Sequence, residues 1–200
     1  MSCACITLPP ALAPSAAYYA LMGRYAYARI AMHAPYDKRR KETHRYEVAD
    51  TRGRLTLTVP VQPPHGIARA QWTDVRLSGH GRWQDVHATS LASAYGRTPF
   101  YEFYIDRLAP ALFPEEGTPL EAQIRALNAA VCKILLIDTE LSYDASDAIE
   151  MPPVPTLPEY WQIRRSALGF LPDLSVLDPI FNLGPEAAVA VRAATLRVAK

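Results

Sequence analysis

The chain has 200 residues, half of them hydrophobic and 20% charged, with a net charge of +1. This is globular composition, and a chain this long buries about 70% of its unfolded surface, which excludes disorder and a miniature fold dependent on staples. So small a charge supplies no global field toward nucleic acid or an anionic membrane. Cys3, Cys5 and Cys132 form no C-x-x-C pair, which argues against a disulfide framework and a zinc ribbon. Cys132 lies in an apolar run and reads as a small buried hydrophobe. That run, Ala126 to Ile137, is broken by Asn128 and Lys133 and falls short of the roughly 18 residues that span a bilayer. No basic region precedes Arg24, so no secretory signal is expected and the predicted setting is cytoplasmic.

The elements begin after Pro9, Pro10 and Pro14, where Ser15 can cap a short helix that stops at Gly23. Tyr25 to Met32 alternates as a strand, and a basic loop, Pro35 to His44, follows. His44–Asp50 and Leu55–Val61 read as two strands joined by Thr51-Arg52-Gly53-Arg54, with Pro60 marking an edge or an end. Pro63 to Gly66 is a loop, and Trp72 to Leu77 is predicted as a further strand closed by Ser78 to Gly81.

The period then turns helical. Trp83, His87, Leu91 and Tyr95 share one face of a helix ended by Gly96, and Phe100 to Phe113 forms an aromatic-rich second helix. Thr118-Pro119-Leu120-Glu121 has capping-box form and opens a third helix with Leu120, Ile124, Leu127, Val131 and Leu135 on one face. Ile137 to Tyr143 is a short strand and Met151 to Pro158 an extended linker. Tyr160 to Ala167 carries no clear period. Ser175 can cap a short helix with Asp178 at the capping-box position, and Pro185 to the end is a terminal helix. Strands precede helices, so the expected class is α+β: an N-terminal antiparallel sheet region, then a mainly helical half, in one compact domain over 1–200.

Dinucleotide, Walker A, nucleophile-elbow and H-E-x-x-H signatures are absent. Three groups of polar residues remain. Lys38 to Arg45 places five cations in eight residues, suited to phosphate or pyrophosphate through guanidinium forks, or else simply a solvated loop. His87 shares the Trp83–Leu91 face; shielded and neutral, it is either a general base or a satisfied structural histidine. Tyr160 and Gln162, with Asp173, Ser175 and Asp178, lie among Phe170, Leu174, Leu177 and Phe181. The two aspartates could orient a base or bind an amine, or serve as caps and hydrogen-bond partners. His33, His65 and His80 show no ligand spacing, and no metal site is expected.

Taken together, ordered blocks along the chain resemble the WbqC-like family of bacterial proteins found among polysaccharide and O-antigen genes. The blocks are Pro9-Pro10 with Tyr18-Tyr19; Lys41-x-Thr43-x-Arg45; Leu55-x-Leu57-Thr58-Val59-Pro60-Val61; Trp83-x-x-x-His87; and Ala94-Tyr95 with Thr98-Pro99-Phe100-Tyr101-Glu102-x-Tyr104. Toward the end come Tyr160-Trp161-Gln162-Ile163, Gly169 to Asp178, and Phe181-Asn182-x-Gly184-Pro185. The chain departs from the family pattern at Glu47, where a second arginine is usual, at Asp173, where asparagine is usual, and at Ala88, where an aromatic is usual.

The resemblance implies a glycine (aminoacyl) transferase acting on an amino sugar or sugar hydroxyl in surface-polysaccharide assembly, with ATP or an aminoacyl-tRNA as co-substrate. The acceptor would be a nucleotide-linked or lipid-linked sugar, and other polysaccharide-assembly enzymes would be partners; no sequence-specific nucleic acid is expected. On this reading Lys41, Thr43 and Arg45 hold phosphate, His87 deprotonates the acceptor, and Asp173 or Asp178 orients it. Trp83, Tyr95 and Tyr101 wall the pocket, with Tyr160, Gln162, Ser175 and Asn182 as further binding residues. The alternative is a non-catalytic binding or scaffold protein of a polysaccharide-assembly complex. The transferase reading requires early cations, a mid-chain imidazole and late acids to meet in one cleft; the alternative would use the aromatic helix Phe100 to Phe113 and the C-terminal helix as contact surfaces, with no turnover.

Overall fold

The computed structural model describes residues 5–64, 66–147 and 152–195. Cys3, His65, Met151 at the head of the expected linker, and residues 196–200 of the expected terminal helix lie outside the described residues. The chain opens with β1 (Cys5–Leu8), and the prolines that follow end it by removing ladder donors. They lead into α1 (Ala16–Met22), all seven of whose residues are buried, and then β2 (Tyr27–Ile30), alternately exposed and buried. Ser15 does not cap α1 with its side chain; its backbone instead bridges Ser175 near the other end of the chain. Gly23 ends α1 without a left-handed turn, its N–H reaching the Tyr19 carbonyl at 2.9 Å.

The expected hairpin is present as β3 (Arg45–Asp50) and β4 (Gly53–Thr58), antiparallel and joined by Thr51-Arg52. Gly53 sits at φ 121°, a conformation closed to side-chain-bearing residues at low cost. Pro60 stops the strand, as expected, and a short antiparallel pair follows: β5 (Val61–Gln62) and β6 (Arg76–Leu77). The predicted strand over Trp72–Leu77 is corrected here. Trp72–Asp74 is a helical turn, because the Asp74 carboxylate reaches back to the Gln71 N–H at 2.8 Å and curls the backbone.

Helices α2 (Trp83–Tyr95), α3 (Tyr101–Leu112) and α4 (Leu120–Leu135) lie where the 3.6-residue period places them. The stripe Leu120, Ile124, Leu127, Val131, Leu135 is fully buried, and Cys132 is buried beside it. The expected capping box before α4 does not form: Pro119 is the cap, with no side-chain bond, and the Thr118 carbonyl is spent on the Leu77 N–H. After α4 come β7 (Glu140–Ser142), a single helical turn α5 (Arg165–Leu168), then α6 (Leu177–Leu183) and α7 (Glu186–Arg192). The terminal helix is thus shorter than its composition suggests, since Thr195 pairs as an extended residue with Thr156.

The α+β class holds. Two hairpin-like strand pairs are antiparallel, whereas β1, β2 and β7 form a parallel sheet in the order β1-β2-β7. α1 is the crossover between its first two strands, and the third strand comes from the helical half. One continuous cluster of buried apolar side chains, from Leu8 to Ala194, fills the space between sheet, hairpin and helices. Among the described residues no helix is long and apolar enough to cross a membrane.

Candidate functional site

In sheets of parallel strands, ligands gather beyond the carboxyl ends of the strands, where loops diverge. Here the loop leaving β1 meets the start of β3 and the segment leading into α6. Three hydrogen bonds stitch them: Ser175 Oγ to the Ala13 carbonyl at 2.8 Å, Ser175 N–H to the Glu47 carbonyl at 2.8 Å, and Val176 N–H to the Pro14 carbonyl at 2.8 Å. Between them lies a cleft of about 250 Å³ whose walls include Ala13, Ser15, Arg45, Glu47, Asp173 and Ser175. Tyr18 and Tyr46 are buried residues of its lining, the Tyr18 hydroxyl donating to the Pro9 carbonyl at 3.1 Å.

Two features mark the cleft as more than a seam. Ala13 and Asp173 both hold left-handed backbone, at φ 44° and 57°, on facing segments of the same cavity. For alanine that conformation costs about 1–2 kcal/mol, and such strain gathers where geometry serves a site. Charge is the second. Glu47 is paired with Arg54 at 2.9 Å, and Arg54 also donates to the Pro172 carbonyl, holding the Asp173 turn against the hairpin. Glu42 faces Arg40 at 3.8 Å. Arg45 and Asp173, both exposed, have no hydrogen bond or ion pair among the described residues.

Asp178 lies behind this wall, fully buried. Its carboxylate accepts from Tyr95 Oη at 2.9 Å, Tyr160 Oη at 2.6 Å and Gln162 Nε2 at 3.0 Å. Burial pushes its carboxyl above the usual range, while those donors pull the other way. The network extends outward: Tyr95 Oη accepts the Ala49 N–H, Gln162 brackets Leu171 through both its amide atoms, and Asn182 joins the Asp178 carbonyl to the Ile163 N–H. The irregular segment from Tyr160 is therefore fixed by side chains where the backbone offers no ladder. Asp178 is not a capping-box residue; its side chain turns inward to the tyrosines.

His87 is buried and engaged at both ring nitrogens. Tyr46 Oη donates to Nδ1 at 3.0 Å, and Nε2–H donates to the Thr58 carbonyl at 3.2 Å. Trp83 and Tyr46 stand edge-on to the ring. Desolvation lowers its pKa to about 4, so the ring is neutral with its proton committed inward.

The structure therefore brings Arg45, Asp173 and Ser175 together in one cleft, with Tyr160 beside Asp173 in an adjoining crevice. Asp178, Tyr95, Gln162 and Asn182 form the network behind it. Lys41 is exposed on the turn before β3, and Thr43 is buried there with no partner for its hydroxyl. His87 and Trp83 lie behind Tyr46, the Trp83 Nε1–H spent on the Ser78 carbonyl at 2.9 Å. Tyr101 packs against Phe181. The rings of Trp83, Tyr95 and Tyr101 are thus packing elements and are not among the cleft's lining residues. Sequence reasoning missed Ala13, Ser15, Tyr18, Tyr46 and Glu47. The strand alternation could have shown Tyr46 turned inward with Val48, but nothing local marks Ala13 as left-handed.

Fold and cleft define an α+β protein whose candidate binding site sits at the carboxyl edge of a small parallel sheet. A sequence profile of the WbqC-like protein family matches residues 10–152, and the chain belongs to that family. No curated protein and no solved structure matches it. The matched region supplies Arg45 and the β1 loop, while Asp173 and Ser175 come from the remainder of the chain.

Proposed function

We propose that the chain transfers a glycyl (aminoacyl) group to an amine on a nucleotide-linked or lipid-linked sugar in surface-polysaccharide assembly, working in the Arg45–Asp173 cleft. The observation that carries this reading is a cation and a carboxylate, each without a side-chain partner among the described residues, facing one strained concave site. A guanidinium fork suits a phosphate of the carrier or of the activated donor, and a carboxylate suits the acceptor amine. The cavity is just under the about 300 Å³ at which small-molecule pockets begin, which suits one sugar ring and leaves the carrier outside.

In the transfer, the acceptor nitrogen bonds to the activated glycyl carbonyl carbon. The bond from that carbon to the phosphate or tRNA oxygen breaks, and the amine proton passes to a cleft carboxylate or to solvent. An amine is preferred to a hydroxyl because the imidazole that would activate a hydroxyl is locked behind Tyr46. The test is to incubate the pure protein with UDP-amino sugars and either glycine plus ATP or glycyl-tRNA, and to seek by mass spectrometry a product heavier by one glycyl group. Arg45→Ala and Asp173→Asn should each slow formation about tenfold or more, the equivalent of one lost charge-assisted contact. Undiminished rates in both variants refute the assignment of the cleft.

One observation favours the non-catalytic alternative. Trp161 and Val189, 50% and 64% exposed, share a groove between the Tyr160 segment and α7. Saturable sugar binding with no product from either donor selects that alternative.

A further inference from the structure

Beyond the far end of β3, a second concavity is lined by two cations. Its volume is about 500 Å³, and it is walled by Thr51 of the hairpin turn, the last turn of α2 and Ile163, with Arg97 and Arg164. Among the described residues no acidic residue lines it. One oxygen of the neighbouring Asp50 carboxylate, Oδ1, accepts the N–H and hydroxyl of Thr51 at 2.6 and 3.3 Å.

Arg97 is exposed and has no hydrogen bond or ion pair among the described residues. Arg164 spends one Nη2–H on the Ser93 carbonyl at 2.8 Å, its single terminal hydrogen bond among the described residues. A guanidinium carries five N–H donors in a fixed fork, so that one bond leaves others for a ligand. At the C-terminal end of α2, three of the last four carbonyls are engaged: Ala92 by the Gly96 N–H, Ser93 by Arg164, and Tyr95 by Thr98. The Asp178 network backs the cavity and holds its walls: Tyr95 follows Ala94, Gln162 precedes Ile163, and Ala49 lies two residues before Thr51.

We infer that Arg97 and Arg164 form an anion site for a phosphate or diphosphate group of a small molecule, separate from the Arg45 cleft and independent of the transferase reading. Two guanidinium forks match phosphoryl oxygens bidentately, and an anion between them relieves their mutual repulsion.

The probe is inorganic pyrophosphate, titrated calorimetrically into the full chain at low salt. The titration is made in the Arg45→Ala background, which removes the phosphate contact of the other cleft; the expected result is saturable binding by Arg45→Ala, weakened at least about tenfold when Arg97→Ala is added. Arg164→Lys, which keeps the charge but not the fork, should also weaken binding in that background. Arg97 is exposed and has no hydrogen bond or ion pair among the described residues, so its loss should leave the fold intact, which circular dichroism of the variant checks. The site is refuted if Arg45→Ala shows no saturable binding, or if adding Arg97→Ala to it leaves the affinity unchanged.

Discussion

His87 donates through one ring nitrogen and accepts through the other, and neither faces the cleft. Its burial fixes a pH signature. The ring's pKa falls from 6.5 to about 4 on folding, so below 6.5 the unfolded chain takes up a proton that the folded chain refuses. The histidine's contribution is intact above 6.5 and is lost as pH falls toward 4, at no more than about 1.4 kcal/mol per pH unit. Asp178 has the opposite sign: its raised folded value makes it most favourable below the ordinary 3.8 and less so as pH rises through its folded value. Urea denaturation at pH 7.5 and pH 5 should therefore show a weaker protein at the lower pH. His87→Phe should be less stable at both pH values and show a smaller difference between them, with His44, whose ring pKa burial also lowers, still contributing in the same sense; an unchanged difference would place the acid sensitivity elsewhere. What the sequence displayed here was the burial of His87, through its spacing from Trp83 and Leu91. It could not display Tyr46 and Thr58, which come from strands far away in the chain.

At the scale of elements, the join between α3 and α6 is set by a single backbone position. Gly184 has φ 57°, and a Cβ there would lie 2.5 Å from the Phe100 ring, while Tyr101 packs on Phe181 alongside. Gly184→Ala should cost about 2–4 kcal/mol, strain and overpacking together. Gly81→Ala, at φ 77° with open space around it, should cost only about 1 kcal/mol. A denaturation midpoint that moves equally in both would show that the ring contact is unimportant. Helices α2, α3 and α4 and the β3–β4 hairpin were legible because their apolar periods are local and long. Trp72–Asp74 was misread as strand because one carboxylate-to-backbone bond outweighed a β-rich composition. In the parallel sheet β2 and β7 were legible as strands, but β1 and the parallel pairing were not, because strands of three or four residues carry too little period to announce a partner.

For the whole molecule, the family match ends at residue 152 but the core does not. Val176, Leu177, Ile180 and Phe181 are fully buried, and Val191 is nearly so. At about 1.5–3 kcal/mol for each buried side chain, their loss rivals the about 5–15 kcal/mol that holds a typical domain folded. A fragment ending at residue 152 should thus show no cooperative unfolding transition by circular dichroism, and a sharp transition would refute this. The cleft follows the same logic: Arg45 was readable as a cation and Asp173 as an acid, yet their meeting depends on Ser175 binding Ala13 across nearly the whole chain.

The order β1-β2-β7 carries a consequence for biogenesis. While the polypeptide is being made, β2 must wait beside β1 with an open edge until Glu140–Ser142 has emerged, with most of the chain synthesised in between. Such an edge invites pairing with another nascent chain. Pulse-labelled hydrogen exchange during refolding should find the Tyr27–Ile30 amides that face β7 gaining protection late, together with those of β7 itself. Early, independent protection of those amides would mean that the edge is shielded by something other than its final neighbour.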